Sequence, residues 1–172
     1  MAEAVVRMGE AAASATPGDT LACIGLGSCI GLVLVDRARS VAALAHVMLP
    51  SAPAEPQAQP YKFADLAVSA LLDLALAHGA LKPRLEAAIV GGAAMFQFGA
   101  GGSGQDIGAR NESAVRGRLD GLGIPLRAAA TGGGRGRTVR IFVGPDVAIT
   151  VREAGGREEA LLGAPMTVGV AA

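Results

Sequence analysis

The chain has 172 residues, 51% of them hydrophobic and 17% charged, which is enough to bury a sizeable core within one domain. Fifteen basic and fifteen acidic residues cancel, and aromatic residues make up 3% with no Trp, so no nucleic-acid partner is expected from charge or base stacking. No apolar run approaches the roughly 20 residues of a membrane span, and the N-terminal MAEAVVRMGEAAAS lacks a basic start and a continuous apolar segment, which points to a cytoplasmic protein that does not span a membrane.

Residues 19–26 (DTLACIGL), 30–36 (IGLVLVD) and 41–48 (VAALAHVM) read as short apolar strands separated by turn signals. The stretch SAPAEPQAQP at 51–60 follows Pro50 and reads as an exposed loop, a natural rim or lid. Over 61–78, Phe63, Leu66, Ala67, Ala70, Leu71 and Leu74 recur at helical spacing, opposite Lys62, Asp65, Ser69 and Asp73, with Gly79 as a left-handed cap. LEAAIVGG (85–92) reads as a buried strand and FGAGGSGQDIGARN (98–111) as a glycine-rich loop, with Asn111 capping a second helix that carries Val115, Leu119 and Leu122. PLRAAAT, TVRIFV and VAITVRE read as further strands, the last two joined by a GPD hairpin turn, and the chain beyond about Gly155 is weakly patterned. These elements predict an α+β fold: a layered α/β sandwich with mixed, mostly antiparallel β-sheets and two main helices, in a single domain over 1–172 with its core at about 5–156.

Within this scaffold, GLGSC at 25–29 interrupts two strands with two glycines and ends in one of only two cysteines. Cys23 and Cys29 do not make a disulfide framework in a chain without an export signal. With His46 and His78 the chain holds four Cys and His residues in all, without a C-x-x-C pair, so no metal site is expected. If the RARS connection between strands 30–36 and 41–48 has two or four residues, Gly31 lies opposite His46 and Cys29 opposite Met48. Cys29 and His46 then share a face as diagonal neighbours, with their backbones roughly 7–8 Å apart; an odd-length turn separates them. A histidine near a thiol favours the thiolate when it is charged and later protonates an amine leaving group. Gly25 and Gly27 allow a bend that frees amide N–H groups near Cys29 for a developing oxyanion. A buried cysteine and a hydrogen-bonded core histidine are the structural alternative. GLGSCIG misses the G-x-G-x-x-G spacing of a nucleotide site, and TGGGRGRT reads as a flexible turn with solvated arginines.

The blocks TLACIGLGSCIGLVLVD, ALAHVMLP, YKFADLAV, IVGGAAMF, DIGARN and TGGGRGRTV, in this order from about Val5 to Gly156, resemble the CheD family of chemoreceptor glutamine deamidases. The resemblance implies hydrolysis of glutamine side chains on methyl-accepting chemotaxis receptors, with Cys29 as nucleophile and His46 as general base and acid, and no cofactor. It implies Gly27 and Ser28 at the substrate carbonyl and Arg110 or Asn111 at the substrate groove, and a CheC-type phosphatase as a second partner. The family usually carries threonine six residues before the nucleophile, where it is taken to orient the histidine. This chain has Cys23 there, a weaker hydrogen-bonding group, so either the ring is held less firmly or a backbone carbonyl orients it. Two other readings stay open: a binding module for CheC or receptor with weak or no deamidation, and a Cys–His amidase acting on another protein's glutamine.

Overall fold

The computed structural model describes residues 2–54, 59–95 and 106–163. Ten strands form two five-stranded sheets. The first sheet runs β1 (Glu3–Val5), β3 (Thr20–Leu26), β8 (Arg137–Phe142), β9 (Ala148–Glu153) and β10 (Glu158–Leu162) in spatial order. The second runs β2 (Ala11–Ser14), β5 (Val41–Val47), β4 (Ile30–Asp36), β6 (Glu86–Gly91) and β7 (Leu126–Thr131). Pairings are antiparallel except β1 with β3 and β6 with β7, the latter joined by a helical crossover. The expected mixed, mostly antiparallel sandwich with two main helices is what the chain adopts.

Helices α1 (Ala64–Ala77) and α2 (Ile107–Gly121) cover the outer face of the second sheet, giving a helix–sheet–sheet stack with two cores. Ile30, Leu32 and Leu34 face the helices, while Val33 and Val35 face the first sheet. Covered on both sides, β4 and β5 are buried at every residue. This is why they read as continuous apolar runs and not as alternating strands.

The connection between β4 and β5 is the four-residue RARS. Arg37–Arg39 form one 3₁₀ turn, Asp36 accepts from Arg39 N at 3.2 Å, and Ser40 takes φ +55°. Asp36 therefore pairs with Val41, and Gly31 with His46, as the even-length turn predicts. The ladder stops at Ile30–Val47, so Cys29 and Met48 lie just beyond it and do not pair as strand residues.

Four expectations change. The N-terminal segment, to which no strand was assigned, contributes β1 and β2, one to each sheet. Residues 158–162 of the tail pair with β9 as an edge strand. Helix α2 starts at Ile107, so GARN is helical and not loop, and the cap is Asp106, whose side chain accepts from Ala109 N at 3.2 Å; Asn111 sits inside the helix. In α1 the buried stripe is Ala64, Ala67, Val68, Leu71, Leu72 and Ala75, and Leu66 points outward, because the sheet meets the small-residue face of the helix. Gly79 does take the left-handed conformation after α1, with φ +102°. Much of the proline loop expected to form a rim or lid (55–58) and of the glycine-rich loop (96–105) lies outside the described residues.

Candidate active site

Cys23, Cys29 and His46 converge on the space between the two sheets. His46 projects from β5 on the face shared by Ala42 and Leu44, and Cys29 packs against the same inter-sheet core from the turn before β4. Gly31 stands between them on the β4 backbone. A Cβ built there would lie 3.0 Å from Leu26 Cδ1, 3.1 Å from Val139 Cγ1 and 3.8 Å from Cys23 Cβ. Glycine at 31 therefore leaves room for the first sheet to close over the site.

The turn carrying Cys29 is made by a bulge. The β3–β8 register runs from Cys23–Val139 to Leu26–Arg137, so Ile24 and Gly25 are accommodated against one residue of β8. Gly25 takes φ +68° and donates its N–H to Thr138 Oγ1 at 3.2 Å. The chain then leaves the first sheet, turns through Gly27 and Ser28, and enters the second with Cys29 half-buried. The carbonyls of this turn are anchored in succession: Gly27 O accepts from Ala93 N at 2.8 Å, Ser28 O from Asn111 Nδ2 at 3.0 Å, and Cys29 O from Gly92 N at 2.9 Å.

That anchoring requires backbones to approach closely where β6 ends and α2 begins. A Cβ at Gly91, which has φ +111°, would fall on the Cys29 carbonyl oxygen, and one at Gly108 would lie 2.5 Å from Gly92 O and 2.7 Å from Ala93 O. Glycine is required at both positions. Arg137 braces the same corner, donating to Gly132 O at 2.7 Å and Gly91 O at 3.4 Å, with its side chain only 11% exposed. The expectation that both arginines of GRGR are solvated fails for Arg137, because the neighbouring glycine carbonyls draw it inward; Arg135 is exposed.

His46 is oriented from an unexpected direction. Its Nδ1 is 3.0 Å from the carbonyl oxygen of Val6, in the segment between β1 and β2, so Nδ1 carries the proton and donates, leaving Nε2 unprotonated in the neutral ring. Val6 N in turn donates to Ala22 O of β3 at 2.7 Å. The same segment holds the histidine backbone, with Gly9 N on His46 O at 2.9 Å and His46 N on Glu10 O at 3.0 Å. Cys23 is fully buried near Leu26, Val139 and Gly31, and its thiol makes no hydrogen bond among the described residues. The backbone-carbonyl alternative is thus the one realised.

Electrostatically the pair is neutral at rest. Burial pushes the Cys29 thiol above its ordinary value and the Cys23 thiol further still, with Cys29 adding to the latter shift. Burial also lowers His46, a shift partly opposed by the Val6 carbonyl and by the charge of Glu10. The charged imidazolium expected to draw out the thiolate is therefore not the resting form.

Of the remaining candidates, Gly27 and Ser28 immediately precede Cys29 and are partly exposed, and Met95 lies over Gly27, with its Cγ 3.1 Å from where a Cβ would stand. Arg110 is on the exposed face of α2, whereas Asn111 is fully buried. Sequence reasoning missed Val6, Gly91, Gly92, Gly108 and Arg137. The double glycine of IVGG was the visible signal for two of them, and a backbone carbonyl such as that of Val6 has none. Among the described residues no group of three or more His, Cys, Asp or Glu is arranged to hold a metal, and no helix is long and apolar enough to cross a membrane.

The architecture is an α/β/β sandwich with Cys29 and His46 bordering its inter-sheet core. Residues 48–152 match the family model described as CheD chemotactic sensory transduction. The chain is 43% identical over 142 residues to the probable chemoreceptor glutamine deamidase CheD of Clostridium novyi (strain NT), covering 82% of this chain and 87% of that one. It is 41% identical over 155 residues to the chemoreceptor glutamine deamidase CheD of Thermotoga maritima, covering 90% and 94% respectively. The chain belongs to the CheD family. The family-model match begins at Met48, after both Cys29 and His46, so the roles of those two residues are argued from geometry.

Proposed function

We propose that this protein is a chemoreceptor glutamine deamidase that converts selected receptor glutamines to glutamates through a thioester on Cys29. The names of its relatives support the reaction and the substrate class. The observation that supports the mechanism is that Cys29 borders the inter-sheet core on the side to which the β4–β5 register turns His46, an imidazole whose Nδ1 is already committed to the Val6 carbonyl.

From the neutral resting pair, His46 Nε2 takes the thiol proton as Cys29 Sγ attacks the amide carbon of the substrate side chain. The resulting oxyanion is stabilised by backbone N–H groups of the Gly27–Ser28–Cys29 turn. On collapse the C–N bond breaks, the nitrogen takes the proton from His46, and ammonia leaves behind a thioester. A water molecule then gives a proton to His46 and attacks the thioester. Cys29 departs, regains its proton, and glutamate is released. No step calls on a metal or organic cofactor.

Purified protein incubated with cytoplasmic receptor fragments is expected to release ammonia and raise target peptides by about one dalton, with Cys29→Ala as the control. Wild type yielding no more product than that control on several receptors rejects the reaction. The cytoplasm, where receptor signalling regions lie, is the corresponding location, and a CheC-type phosphatase is a second candidate partner. The alternative of a binding module without activity drew on the missing threonine. It is weakened by the Val6 carbonyl, which holds the ring independently of Cys23.

A further inference from the structure

Two of the three anchors on the nucleophile turn are backbone N–H groups of Gly92 and Ala93; the third is the side chain of Asn111. Its Nδ2 also donates to Met48 O at 3.0 Å, and Met48 follows His46 by two residues. One amide group thus spans the opening where the β4–β5 ladder ends, tying the Cys29 turn to the end of the histidine strand. The amide orientation follows from its partners: a flip would place Oδ1 against two carbonyl oxygens. In the observed orientation Oδ1 is buried and has no partner among the described residues.

The peptides of this turn are trans, so each N–H points opposite the preceding carbonyl. Holding Gly27 O and Ser28 O toward the junction of β6 and α2 directs the N–H groups of Ser28 and Cys29 away from it. Neither N–H donates a hydrogen bond among the described residues.

We propose that Asn111 is a positioning residue for the oxyanion hole: by gripping Ser28 O and Met48 O it aims the Cys29 N–H and fixes the hole relative to His46. With no exposed surface, it acts through the turn and not on the substrate. The proposal rests on the reading of Cys29 as nucleophile, and the first part of its test does not need a receptor. Acylation of Cys29 by p-nitrophenyl acetate passes through a tetrahedral oxyanion, whereas alkylation by iodoacetamide does not. Asn111→Ala is expected to slow the nitrophenolate burst about tenfold to a hundredfold, while alkylation stays within about twofold and KM for a receptor fragment is unchanged.

Equal loss of acylation and alkylation, or no loss of either, overturns the proposal. So does a rise in KM with kcat intact, or a wild-type burst no greater than that of Cys29→Ala. If Asn111→Ala does not melt cooperatively, Asn111→Ser is measured in the same way. Amide exchange in the wild type adds an independent check: Ser28 and Cys29 N–H groups must exchange as unbonded amides, and protection of either overturns the assignment. A wild-type protein that acylates normally yet deamidates no receptor rejects the proposed function and leaves this inference standing.

Discussion

Alanine substituted for Gly108 and, separately, for Gly117 places the same change in one helix, where intrinsic propensity favours alanine by up to about 1 kcal/mol in both cases. At Gly117 a Cβ meets nothing within 4 Å, so the gain is retained and stability rises by about 0.5–1 kcal/mol. At Gly108 the new carbon would stand 2.5 Å from Gly92 O, 2.6 Å from Gly92 C and 2.7 Å from Ala93 O, all of them backbone atoms that cannot swing aside. Overpacking of this kind costs about 1–3 kcal/mol, and the immovable neighbours put Gly108 at the upper end. The net change is a loss of about 2 kcal/mol, and the two variants differ by about 3 kcal/mol. For a chain of this size that separates their melting temperatures by about 6–12 °C. Activity follows the same displacement, because α2 carries Asn111 three residues beyond Gly108, and moving the helix off β6 draws Nδ2 away from Ser28 O and Met48 O. Thermal unfolding followed by circular dichroism, with ammonia release measured well below the transition, reads both effects. A Gly108→Ala protein that melts at or above wild type and keeps its activity would refute the close-packed junction as the basis of the site.

Gly91→Ala is expected to be more damaging still, since the residue combines φ +111° with a Cβ position occupied by the Cys29 carbonyl; a loss of at least about 2–3 kcal/mol in chemical denaturation checks it. The pH dependence follows from the directions of the two shifts. With the Cys29 thiol raised above 9.0 and His46 lowered below 6.5, the singly protonated pair with its proton on sulfur persists between those values. Alkylation by iodoacetamide should therefore keep rising with pH beyond 9.0, while deamidation falls on the acid side only below 6.5. An alkylation plateau beginning below neutrality would mean a thiolate–imidazolium pair instead. Cys23→Thr should leave kcat unchanged or higher, because the Val6 carbonyl already holds Nδ1; a tenfold or larger loss in a variant that melts like wild type would contradict that assignment.

What was legible in the sequence is what local rules decide. The RARS connection, closed by an Asp36 cap and a left-handed Ser40, sets an even turn, and the two-residue period of a strand then brings Gly31 opposite His46. The glycines of GLGSC announce a departure from the strand ladder, and Gly25 does turn there with φ +68°. The short strands β1, β2 and β10 were not legible, since three to five residues rich in Ala and Glu take strand form only when a partner supplies the hydrogen bonds. Nor was the start of α2: glycine at 108 reads as a breaker, and its value appears only where β6 passes within contact distance.

The amino-acid sequence by itself determined that an even-length RARS turn would bring Gly31 opposite His46, with the thiol two residues before it, because turn length and strand period are properties of neighbouring residues. Only the tertiary structure decided what holds them. The carbonyl of Val6 reaches His46 across 40 positions, and the amide of Asn111 reaches Ser28 across 83. Every residue carries a carbonyl and many buried asparagines bind one, so nothing in the residue type says which will meet which. The stacking of two sheets and the glycine contact between β6 and α2 bring those groups within 3.0 Å of their partners.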